Sequence, residues 1–208
     1  MNLLNGFKIN HKVKVFDMKI FISVLILIFS FQSWIKADDI KDFEIEGISI
    51  GSNALDFVKL DKIRNGTNYH YKSKKYGAFY LELENSIYDG LQLDFEDNGK
   101  YIIEGVAGKI FYENNFMENC LKQEKKILKD LKETFGSNSK YIDNGIISHE
   151  FDVSGKSKGS WHTFELLDNS GVIYLECMDW ADDIDFADNL KISIISSKFI
   201  NFLNTAYE

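Results

Sequence analysis

Hydrophobic positions in this chain fall into three regimes: one nearly unbroken apolar run near the start, many stretches of period two, and two stretches of helical period. The period-two stretches begin after residue 40. Ile45, Ile48 and Ile50 suggest a short strand ending at Gly51, with Ser52 placed to cap a short helix carrying Ala54, Leu55, Phe57 and Val58. Asn65-Gly66 marks a turn, and residues 68–75, rich in lysine, read as an exposed loop. Residues 76–83 alternate, with Phe79, Leu81 and Leu83 on one side, and 88–95 place Leu91, Leu93 and Phe95 together. Asn98-Gly99 is a hairpin turn, and 101–112 form the returning strand, where Gly105 and Gly108 mark a bulge or bend. Between about 114 and 135 the period changes. Phe116, Met117, Cys120, Leu121, Ile127, Leu128, Leu131 and Phe135 make one apolar stripe, Lys122, Lys125, Lys126, Lys129 and Lys132 lie mostly outside it, and Gly136 stops the helix. Strands resume at 146–153, 161–167, 172–180 and 190–195. Ser196 or Ser197 then caps a last helix whose Phe199, Ile200, Phe202 and Leu203 turn inward.

This order predicts an α+β domain. Its sheet is mainly antiparallel, and one long helix, about 114–135, packs on one face together with a C-terminal helix. No linker, repeat or low-complexity tract divides residues 38–208.

The apolar run, residues 20–31, follows Lys19 and ends before Lys36-Ala37-Asp38-Asp39. A positive start, about a dozen apolar residues and a small residue before a polar chain is the layout of a secretory signal peptide. The run is short for a membrane span, which needs about 20 apolar residues. The expectation is a signal peptide over 18–37 cleaved after Ala37, with an uncleaved anchor as the alternative. Residues 1–17 sit oddly ahead of Met18-Lys19, itself a tidy signal-peptide start, and are expected to be a mis-assigned extension. The destination is then a bacterial periplasm or the exterior.

Composition narrows the partners. The leader's five lysines and one aspartate contribute +4 to a net charge of −8, so residues 38–208 carry −12. Such a surface argues against nucleic acid, whose binders need a basic face, and against an anionic membrane. The two cysteines, Cys120 and Cys177, both follow the leader. In an oxidising compartment they can pair, and a bridge would enclose a long loop; the alternative is two buried thiols.

Candidate chemistry is sparse. There is no Gly-x-Ser-x-Gly elbow and no phosphate-loop spacing, although 155–160 has phosphate-loop residue types. Asp94, Glu96, Asn98 and Gly99 start like a calcium loop, but its twelfth position is Gly105 and Glu104 comes one place early. His149 and His162 on paired strands would need a further ligand to hold zinc. The densest feature is acidic: Asp179, Asp182, Asp183, Asp185 and Asp188 follow one another around Trp180. Asp182, Asp183, Asp185 and Asp188 are weak candidates for a hard cation, and a solvated loop accounts for them equally. No catalytic residue and no cofactor is expected.

Three pieces carry a resemblance: 36–51, including Ile45-Glu46-Gly47-Ile48; Gly108-Lys109-Ile110-Phe111-Tyr112; and Cys177-Met178-Asp179-Trp180 with the Cys120 helix. They resemble a group of small, uncharacterised exported bacterial proteins. That implies export and no particular chemistry. Ile48-x-Ile50-Gly51 before a short helix is also similar to the opening of BamE-type periplasmic assembly modules, whose lipid-attachment cysteine this chain lacks. The functional expectation is a non-enzymatic interaction or accessory module serving another envelope protein. A small-molecule or cation-binding protein is the second reading, and a carboxylate-dependent hydrolase the third.

Overall fold

The computed structural model describes residues 40–112, 116–149, 152–184 and 186–206. The expected leader, its cleavage point and residues 1–17 lie outside them, as does Asp185. Two short strands, β1 (Glu44–Ile45) and β2 (Ile48–Ser49), form a small hairpin. Helix α1 (Leu60–Gly66) follows. Then come strands β3 (Tyr76–Glu82), β4 (Gly90–Glu96) and β5 (Ile103–Phe111), helix α2 (Phe116–Phe135), and strands β6 (Ser139–Ser148), β7 (Lys158–Leu166), β8 (Gly171–Asp179) and β9 (Asn189–Ser196). Helix α3 (Ser197–Leu203) ends the described chain.

The α+β class with a dominant antiparallel sheet is as the pattern predicts. Seven strands run in the order β3-β4-β5-β9-β8-β7-β6, every pair antiparallel. The sheet is two meanders, β3 to β5 and β6 to β9. They join because β9 pairs with β5. Helix α2 crosses between them, as the distance from β5 to β6 demands.

Register divides the side chains into two faces. Leu91, Leu93, Val106, Ile192, Leu175 and Phe164 share one face through pairs such as Leu93↔Val106, Val106↔Ile194 and Leu175↔Ile192. This closed face carries α2, the β1–β2 hairpin and α1, and their apolar side chains form one core. Cys120 of α2 meets Cys177 of β8 there as a disulfide, with Cα atoms 5.9 Å apart and both side chains fully buried. In the chain-entropy account, closing a 57-residue separation contributes about 4 kcal/mol.

Helix α3 lies on the other face. Phe199 stacks on Tyr76 at 4.6 Å between ring centroids, and Tyr76 shares the face of Ala78 and Tyr80. The sequence pattern had grouped both helices on one face, but it carries no information about which side a helix takes after a strand. Here Ser196 ends β9, accepts a hydrogen bond from the Phe199 N–H (3.1 Å), and turns the chain over the sheet.

Two local expectations shift. Asn53, not Ser52, caps the short turn of helix at Ala54–Asp56, its side chain accepting from the Leu55 N–H. Strand β6 begins at Ser139, well before residue 146, and is largely exposed.

Candidate functional site

Among the described residues, the face opposite α2 carries α3 at one end and aromatic side chains at the other. At one end α3 sits over Gly105, where a Cβ would fall 2.9 Å from Asp94 Oδ2 and 3.3 Å from Phe199 Cδ1. At the other end stands an aromatic wall. Trp180 packs against His149 at 4.6 Å and Phe186 at 4.9 Å, and His149 also meets Trp161. Between the two ends the central pair is Ala107↔Ser193, both buried.

Charged groups stand on this face of the sheet. Lys191 of β9 and Glu176 of β8 are cross-strand partners, with Nζ 3.0 Å from Oε1. Burial pulls the Lys191 ammonium down, but the Glu176 charge and hydrogen bond, and the Asp94 charge, outweigh it and leave its pKa raised. Asp94 of β4 is buried and accepts from the Gln92 amide at 3.0 Å. Burial pushes its carboxyl up to about 6, against the opposing effects of Gln92, Lys191 and Lys109. Lys109 of β5 donates to the Tyr80 hydroxyl at 3.1 Å and lies 4.8 Å from the centre of that ring. A cavity of about 220 Å³ opens between Tyr80, Lys109 and Phe111 on one side and Trp180 and Phe186 on the other.

The wall is held from behind. The Trp180 N–H donates to Asp188 Oδ1 (2.8 Å) and the Ala181 N–H to Ser157 Oγ (3.0 Å). Ser157 is placed by Asp152, whose Oδ2 accepts from the Ser157 N–H at 2.7 Å and whose Oδ1 accepts from the Ser154 N–H. Hydrogen bonds from Ser154 and Ser157 hold the Asp152 carboxyl far below the usual range.

The sequence candidates are dispersed around this site. Asp188 caps the Trp180 backbone, and Asp183 forms an exposed ion pair with Lys156 at 3.5 Å. Asp182 is exposed, and Asp185 lies outside the described residues. Among the described residues, no three or more His, Cys, Asp or Glu side chains come together in a way that would hold a metal ion. His149 and His162 occupy opposite faces. His162 is buried against α2, its Nδ1 2.9 Å from the Tyr141 hydroxyl and its Nε2 3.5 Å from Glu124 Oε2. Asn98 and Gly99 make the β4–β5 turn, and Lys198 and Asn98 both donate to Glu96.

The site residues Asp94, Lys109, Glu176 and Lys191 were missed as a group. Each had a visible signal: a charge inside an otherwise apolar strand, as in Leu93-Asp94-Phe95 and Leu190-Lys191-Ile192. A second hollow, about 620 Å³, lies at the free edge of β3 between Phe57 and Phe79. Its charged residues, Lys59, Lys62, Glu82 and Glu84, are all exposed. Comparison of the chain with protein-family models, with curated proteins and with solved structures finds no match in any of the three.

Proposed function

We propose that this is an exported binding protein that takes a small polar molecule on the open face of its sheet. One observation carries the reading: a cavity on this face brings the Lys191–Glu176 ion pair and a second lysine, Lys109, among aromatic side chains, with the buried Asp94 carboxylate on the same face of the sheet. Burying charge is costly unless it is paired or put to use, and a cleft with convergent polar groups is the usual form of a ligand site. The disulfide and the absence, among the described residues, of any helix long and apolar enough to cross a membrane are compatible with export.

A carboxylate-dependent hydrolase of the glycosidase kind would need two free carboxyl groups flanking the scissile bond. Glu176 is instead bound to Lys191, so the site favours binding over catalysis. The reading of an interaction module keeps one supporting feature, the exposed Phe57, Leu60 and Ile87 near the β3 edge.

The test is a thermal-unfolding screen of the oxidised protein against small-molecule classes, followed by NMR on the Trp180 indole. A ligand that raises the midpoint and shifts the Trp180 signal supports the reading. Binding that leaves Trp180 untouched but perturbs Phe57 and Phe79 would transfer the function to the β3 edge.

A further inference from the structure

The charges of the cavity do not cancel, and this narrows what it can bind. Lys191 is neutralised by Glu176 at 3.0 Å. Lys109 is not: among the described residues its ammonium has no carboxylate within ion-pair distance, and its hydrogen bond goes to the neutral Tyr80 hydroxyl. The cavity lining therefore carries an excess positive charge on a chain whose net charge is −8. Beside that lysine stand rings that water would not choose to wet. Phe111 is 47% exposed and Phe186 54%.

We propose that the cavity binds a small ring-bearing carboxylate, its anionic group on Lys109 and its ring between Phe111 and the Trp180–Phe186 wall. The inference rests on the open-face reading above and adds the ligand class. Three features set that class. An unpaired ammonium in a partly desolvated hollow attracts an anion more strongly than one in open water. Exposed aromatic faces favour a flat apolar body. The volume, about 220 Å³, is below the ordinary range for drug-sized ligands and suits one ring with one substituent. With Lys191 matched by Glu176, the lining offers one uncompensated positive charge, which suits a single negative charge on the ligand better than two.

The experiment is an NMR titration of the oxidised protein with four probes: benzoate, its neutral analogue benzamide, the ringless anion acetate, and the dianion phenyl phosphate. Benzoate is expected to shift the Trp180 indole signal and to bind about tenfold more tightly than the other three. Added salt should weaken benzoate and leave benzamide unchanged. Lys109→Met should remove the advantage of benzoate over benzamide, with the Trp180 signal of the unliganded variant confirming an intact fold. Equal binding of benzoate and benzamide, or full benzoate binding by the variant, overturns the carboxylate assignment while leaving the open-face reading in place. No response of Trp180 to any probe, together with none to the wider screen, overturns both.

Discussion

Asp94 is the residue at which the site and the fold pull against each other. Its folded pKa of about 6 lies above the ordinary carboxyl value of 3.8, so the folded chain holds this proton more tightly than the unfolded one. Stability from this group is therefore highest at acid pH, falls as pH rises from about 4 to about 6, and stays low above that. A two-unit displacement corresponds to about 3 kcal/mol as an upper bound. Asp94→Asn is expected to stabilise the protein by about 1–3 kcal/mol at neutral pH and to flatten that part of the profile, as read by urea unfolding across pH. Asp152 behaves in the opposite sense. Its carboxyl is depressed by Ser154 and Ser157, so its contribution is present above the ordinary carboxyl value and is lost only in strong acid. Asp152→Asn should loosen the wall, seen as faster amide exchange at Trp180 and Ala181.

Single elements show what the sequence could and could not convey. Helix α2 and the strands of the core were legible because burial on one side imposes a period, 3.6 or 2, on their apolar residues. The first half of β6 was not legible. It is an edge strand whose half-buried residues, Ser139, Tyr141 and Ile142, do not alternate, and a bulge between Asp143 and Gly145 breaks the period further. The site was half legible: each charge stood out in its own strand. Their meeting depends on β9 lying between β5 and β8, and strand order is not written in any local pattern. Two element-level predictions follow from the ties that hold the helices. Replacing Cys120 and Cys177 by Ser should cost about 4 kcal/mol, measured as the loss of unfolding free energy relative to the oxidised parent. Ser196→Ala removes both the cap on Phe199 and the 2.7 Å hydrogen bond to Glu104, and should cost about 1–2 kcal/mol by the same measurement.

At the scale of the whole molecule, the joining of the two meanders has a consequence for when the protein can exist. Strand β9 comes after the other strands in the described chain, yet it occupies the centre of the sheet, with β5 on one side and β8 on the other. Until Asn189–Ser196 is available, the first three strands and the next three have no shared partner and each presents a bare edge. Pairing across so long a separation makes closure slow, since the loop entropy is lost before the contacts form. With no proline in the chain, no prolyl isomerisation adds to that delay. A chain interrupted before residue 189 would be two sticky fragments, not a smaller version of the protein. Completion of the seven-stranded sheet therefore waits on Asn189–Ser196, the one segment that both meanders share.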